Sequence, residues 1–130
     1  HWLPKKELFL RHGFEKIDTK PPSFELLVKR FSNDAHTPRF NPVPTERLEK
    51  YKFGITILKS DQCPYTADSV KEIREVAEER DLPLRVESIS NCNEAQNSVH
   101  PYGTYCILIN GEVVTYRPIG KRRMNELIGE

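Results

Sequence analysis

No stretch of this 130-residue chain approaches the run of about 20 apolar residues that spans a bilayer, so no membrane-crossing helix is expected. Charge of one sign is lacking too: 20 lysines and arginines stand against 19 aspartates and glutamates. That near balance gives no bulk field to draw the chain to nucleic acid or to an anionic membrane, and neither is expected as a partner. Cysteine is scarce, with three residues at positions 63, 92 and 106. An odd count without paired spacing suggests neither a disulfide framework nor a structural zinc site, and a reducing cytoplasm is the compartment that fits it. His12, His36 and His100 have no mutual spacing suited to metal ligation, so no metal is expected and these side chains read as solvated or locally bonded. The opening HWLPKKELFL has neither a signal-like core nor an initiator methionine, and the chain reads as part of something longer.

The length allows one compact core plus an appendage. Residues 3–31 read as a helix, a short strand, a proline break and a second strand, with Gly13 as the helix stop. Phe24, Leu26 and Val28 alternate along the second strand, and Leu27 makes the run apolar enough to be largely buried. Residues 32–44, SNDAHTPRFNPVP, carry three prolines among polar residues and read as an extended linker. Thr45 then offers a cap for a short helix reaching Tyr51.

From there the order is regular: strand 53–59, helix 64–80, strand 82–89, a polar turn or short helix in SNCNEAQN, strands 104–109 and 112–117, and a last helix in KRRMNELI. Asn110 and Gly111 are the dipeptide of a two-residue hairpin turn. Ala67, Val70, Ile73 and Ala77 would share the buried face of the first helix, and Met124, Leu127 and Ile128 that of the last. Lys121, Arg122 and Arg123 fall in the first turn of that helix, where the dipole disfavours cations; they read as a solvated face or an anion contact. The fold class is α/β, with a mixed sheet in the order β-α-β-α-β-β-α over residues 45–130.

The chemistry centres on DQCPYTAD, residues 61–68. Cys63 stands where a strand has ended and a helix begins, with Pro64 at a helical position whose missing N–H is of no consequence. The positive end of a helix favours a thiolate there, while Asp61 opposes it. A small capping residue in a loop is the plain alternative. Cys92, in a polar stretch, is a candidate second thiol, and Cys106, in an apolar strand, reads as a small buried hydrophobe.

The strand order, the Cys-Pro-Tyr opening and the hairpin TYCILINGE resemble a thioredoxin or glutaredoxin domain over residues 52–129. The resemblance implies that Cys63 matches the family's attacking thiol, with Tyr65, Thr66, Gly103 and Thr104 lining a groove for substrate or partner. Thr66 occupies the place of the resolving cysteine, so the motif itself cannot close a disulfide. Gly103 occupies the place of the family's cis-proline. A monothiol form acting on glutathione mixed disulfides is the alternative this likeness carries.

The segment LFLRHGFEKID with SFELLVKRF resembles the carboxy-terminal helix and strand pair of the GNAT acetyltransferase fold. The tyrosine that many members place four residues before the glycine is Phe9 here, and a phenyl ring has no proton to give. The family's glycine-rich segment for the acetyl-CoA pyrophosphate is not in these residues. A GNAT end at 1–31, a linker at 32–44 and a thioredoxin-like domain at 45–130 together resemble the YoaP-like acetyltransferases. The resemblance implies acetyl-CoA for a parent protein but no cofactor in this chain, a missing amino-terminal GNAT region as partner, and a recognition role for the second domain. Two other readings stand beside it: the monothiol oxidoreductase and a structural docking module.

Overall fold

The computed structural model describes residues 4–21 and 23–129. The chain divides into two compact units, the first closing at Pro42 and the second opening at Val43.

The first unit holds α1 (Lys6–Arg11), β1 (Glu15–Lys20) and β2 (Phe24–Val28). Gly13, at φ +83°, ends α1 as its position suggests. The amide of Gly13 bonds the Leu10 carbonyl at 3.2 Å and that of Phe14 the Phe9 carbonyl at 3.1 Å, and the Phe9 and Phe14 rings meet edge to face at 5.5 Å. That pairing of two carbonyls with an apolar clasp is the glycine-terminated helix end that orphan carbonyls require. β1 and β2 pair antiparallel with an irregularity between Lys16 and Asp18. Beyond β2 the chain has no regular element until Thr45, yet its first part is held along β1. Arg39 donates to the Ile17 carbonyl, the Phe40 amide to Asp18 Oδ2 at 2.9 Å and Lys20 Nζ to the Asn41 carbonyl at 2.8 Å. The Asp18 carboxyl is held below the usual carboxylate range, first by the Phe40 amide. The expectation that β2 would be largely buried is not met: Phe24, Leu26, Leu27 and Val28 are half-buried within this small unit.

The second unit contains α2 (Thr45–Glu49), β3 (Ile55–Lys59), α3 (Tyr65–Glu79), β4 (Leu84–Ser88), α4 (Cys92–Gln96), β5 (Tyr105–Ile109), β6 (Glu112–Thr115) and α5 (Lys121–Ile128). The strands form one mixed sheet in the order β4-β3-β5-β6. β3 runs parallel to β4 and antiparallel to β5, and β6 returns antiparallel beside β5. Asn110 and Gly111 turn the β5–β6 hairpin at φ +49° and +86°, as the dipeptide predicts. Asn110 also fastens the turn to β3, its Oδ1 accepting from the Gly54 amide at 2.9 Å.

Because strand side chains alternate, β3 serves two cores at once. Ile55 and Ile57 join Ile73, Val76, Ala77, Tyr105, Ile107 and Met124 beneath α3 and α5. On the other face Leu58 gathers with Tyr51, Val99, Cys106 and Leu108. Two helix readings need correction. In α3 the buried residues are Thr66, Ser69, Ile73, Val76 and Ala77, and Ala67 is exposed, because two hydroxyls occupy inward positions that hydrophobicity alone assigns elsewhere. Thr45 is the first helical residue of α2 and makes no capping bond; Pro44 precedes it as the cap. In α5 Met124 is fully buried, while Leu127 and Ile128 are half-buried.

Gly54 joins the turn after α2 to β3 at φ +75°, and a Cβ there would overlap the Pro83 carbonyl oxygen. Both the backbone conformation and the close approach therefore demand glycine. Gly54→Ala is expected to lower the unfolding free energy by at least about 2 kcal/mol in urea titrations.

Candidate functional site

β3 ends at Lys59, and the sheet is closed at that edge by two further bonds, the Ile89 amide to the Lys59 carbonyl at 2.6 Å and the Ser60 amide to the Thr104 carbonyl at 2.8 Å. The loop beyond them carries Cys63 to the start of α3. Pro64 is the cap, one residue later than the sequence suggests, and the Thr66 amide bonds the Cys63 carbonyl at 3.2 Å, so the first turn tightens around the thiol residue.

Cys63 is exposed and borders a cleft of about 260 Å³. Thr66 and Thr104 line it with Cys63, so three of the residues singled out in the sequence converge. The other three do not. Tyr65, 72% exposed, faces a neighbouring hollow with Asp68, Glu72 and Gly120. Gly103 is buried at φ +75°, and a Cβ on it would approach the Ala95 carbonyl oxygen to 3.1 Å. It thus fits the loop closely against α4. Cys92 is exposed at the first position of α4 and is not among the residues that line the cleft with Cys63.

The far wall comes from residues the sequence did not point to: Tyr102, Tyr105, Tyr116, Arg117 and Pro118. His100 lies behind this wall, buried, and not solvated; its Nδ1 accepts from the Tyr102 amide at 3.1 Å and its ring stacks on Tyr116 at 5.4 Å. Tyr102 and Tyr116 meet at 5.8 Å, and the Arg117 guanidinium lies over the Tyr116 ring. Such rings give a rigid apolar surface with polar edges, at little conformational entropy. Spacing gave no signal for Tyr116, Arg117 and Pro118 because the loop after β6 reaches the cleft only through the hairpin.

The wall is anchored by Ser69, one turn into α3 from Thr66. Its hydroxyl donates to the Ile119 carbonyl at 2.7 Å and accepts from the Ile119 amide at 3.0 Å, with the Tyr105 hydroxyl at 3.2 Å. Burial pushes the Tyr105 phenol above its ordinary range, so it stays a neutral donor. The next residues begin α5, where the Lys121 amide donates to Glu72 Oε2 at 2.6 Å. That borrowed carboxylate meets the positive helix end and offsets the three cations there. The cations themselves are paired, Lys121 with Glu79, and Arg122 and Arg123 with Glu126 at 3.2 and 2.8 Å, which favours the solvated face over an anion contact.

Among the described residues no group of three or more His, Cys, Asp or Glu side chains is arranged to hold a metal ion, and no helix is long and apolar enough to cross a membrane. The three thiols occupy different surroundings. Cys106 is buried beneath the sheet, and that burial pushes its thiol up to about 12. Iodoacetamide at pH 8 is therefore expected to label Cys63 and Cys92 in the folded chain, and Cys106 only after denaturant is added, as counted by mass spectrometry. Ser69→Ala strands the Tyr105 hydroxyl and frees the 116–119 loop. It is expected to lower stability by about 1 to 3 kcal/mol and to speed hydrogen exchange at the Ile119 amide, with Tyr105→Phe milder on both counts.

Comparison with known proteins finds two likenesses. Residues 83–125, from β4 into α5, match the family described as YoaP-like. The chain is 26% identical over 128 residues to a protein named "Uncharacterized N-acetyltransferase YoaP" from Bacillus subtilis (strain 168). That alignment takes in 98% of this chain and 50% of the relative, so the chain spans about half the length of the curated protein it matches. No solved structure matches it significantly. By both matches the chain is similar to the YoaP-like family, through the family model over residues 83–125 and through the Bacillus subtilis protein over most of this chain's length.

Proposed function

We propose that this chain is the carboxy-terminal half of a GNAT-type N-acetyltransferase, and that its second unit is a thioredoxin-like accessory module that positions the acceptor substrate or a partner in the cleft beside Cys63. The observation that carries the reading is an alignment that runs through both units and corresponds to half of a protein named as an N-acetyltransferase. The order β4-β3-β5-β6, with a helix opening directly after Cys63 at the end of β3, supports the thioredoxin-like assignment of the second unit. The short α1 and the β1–β2 pair support a GNAT end for the first.

Acetyl-CoA is the donor such a parent uses, and the residues of this chain do not fit it. The first unit offers no glycine-rich run of amides for a pyrophosphate. Phe9, at the place of a general acid, is an apolar ring packed on Phe14. What this chain supplies is acceptor recognition: hydroxyls from Thr66 and Thr104, a thiol, aromatic faces from Tyr102 and Tyr116, and the Arg117 cation. The monothiol exchange and docking readings gain no support from the relative's name.

The full-length parent tests both parts of the reading. Saturating acetyl-CoA is expected to raise its melting temperature, since a ligand at about 100 times its Kd adds about 2.7 kcal/mol. Cys63→Ser and Tyr102→Ala are expected to raise the acceptor KM several-fold while leaving that acetyl-CoA shift intact. No thermal shift would remove the acetyltransferase class, and an unchanged acceptor KM would remove the recognition role.

A further inference from the structure

The sheet face away from α3 and α5 is covered by α2 and α4, each five residues long. Helices of that length, about 7.5 Å each, cannot roof a four-stranded sheet. Between them lies a cavity of about 590 Å³, more than twice the Cys63 cleft and within the range of small-molecule sites. Its floor is apolar, with Leu58 from β3, Ile89 after β4 and Val99 after α4. Its rim is polar, and the polar groups converge from separate elements, with Arg47, Lys50 and Tyr51 on or just after α2, Glu87 on β4 and Glu94 on α4.

The electrostatics are not evenly spent. Glu87 accepts from the Tyr51 hydroxyl at 2.8 Å, from Lys50 Nζ at 3.1 Å and from Arg85 at 3.4 Å. Its carboxyl is held below the usual range by Tyr51 and the two cations, against the opposing effect of burial. Glu94 Oε2 accepts from the Ser90 amide at 2.6 Å. Both carboxylates on the lining are thus engaged by protein donors. Arg47 differs: it donates to the Asn97 carbonyl and, at 3.5 Å, to the Asn97 side chain, and no carboxylate among the described residues lies within ion-pair distance of it. A guanidinium has five N–H donors, so Arg47 keeps several at the edge of an apolar floor, with none of the described carboxylates bonded to it.

We propose that this cavity is a binding site for a small organic carboxylate with an aliphatic body. The carboxylate takes the remaining donors of Arg47, and the body lies over Leu58, Ile89 and Val99. The site is separate from the Cys63 cleft, with which it shares no lining residue, and it does not depend on the acetyltransferase reading.

Hexanoate is a suitable probe, with 1-hexanol and hexylammonium as neutral and cationic counterparts of the same length. Titrated into the isotope-labelled chain and followed by methyl NMR, hexanoate is expected to shift Leu58, Ile89 and Val99 saturably, with a Kd in the millimolar range for a ligand of about eight heavy atoms. The neutral and cationic probes are expected to bind about tenfold more weakly or less, and Arg47→Gln to abolish the preference for the acid. Because Arg47 also ties α2 to α4, Ser98→Phe provides a second variant that fills the cavity with the guanidinium untouched; it is expected to abolish hexanoate binding. No saturable shift, equal binding of the three probes, a hexanoate Kd unchanged by both variants, or shifts confined to the Cys63 cleft would overturn the assignment.

Discussion

The second unit depends on one strand. β3 pairs parallel with β4 on one side and antiparallel with β5 on the other, so its backbone groups are spent within the sheet, and Ile55 to Leu58 are buried on both faces. A strand so placed must be apolar in every position, and ITIL nearly is, with Thr56 the single hydroxyl. Ile55 and Ile57 dock α3 and α5, Leu58 anchors the opposite cluster, and the carboxyl end of the strand delivers Cys63 to the head of α3. Site and core are therefore consequences of one register. A slip of one residue would exchange the two faces and turn the isoleucines toward the wrong helices.

The two faces are roofed unequally, and that inequality explains where the cavities lie. α3 and α5, with 15 and eight residues, seal one side, and Met124, Ile73 and Val76 there are fully buried. α2 and α4 cover the other side only in part, so polar side chains at their ends and on β4 take the place of a third helix. The Glu87 carboxylate survives partial burial because Tyr51 and Lys50 approach it from the turn that follows α2. A half-buried acid without such donors would shift toward its neutral form.

What the sequence made legible is what local rules govern. Asn110–Gly111 turned as it must, since both residues need positive φ; Gly13 closed α1 for the same reason; and the alternation of strands and helices appeared in order. Cys63, Thr66 and Thr104 were legible because a strand end and a helix start fix their places along the chain. What stayed hidden depends on partners distant in sequence. Ala67 looked inward by its hydrophobicity, but Ser69 holds the inward place because Ile119 and Tyr105 satisfy its hydroxyl from 50 and 36 residues away. The aromatic wall at Tyr102 and Tyr116 was hidden likewise, since no periodicity ties those residues to Cys63. Three cations in the first turn of α5 looked unfavourable until Glu72, on another helix, supplied the missing negative charge.

Thr66 bears most directly on the chemistry of the cleft. A thiol that exchanges disulfides within its own motif needs a second sulfur one turn along the helix, where its S–S geometry can be met. That place holds a buried hydroxyl-bearing residue, 4% exposed, whose amide already clasps the Cys63 carbonyl. Cys106 is sealed beneath the opposite face of the sheet, and Cys92 opens a helix outside the cleft lining. What faces the thiol instead is a set of hydroxyls, tyrosine rings and one guanidinium, groups that hold a molecule in place and carry no electrons to it. A cleft of that composition is suited to holding and orienting a ligand, which is why the recognition role is the one proposed for it.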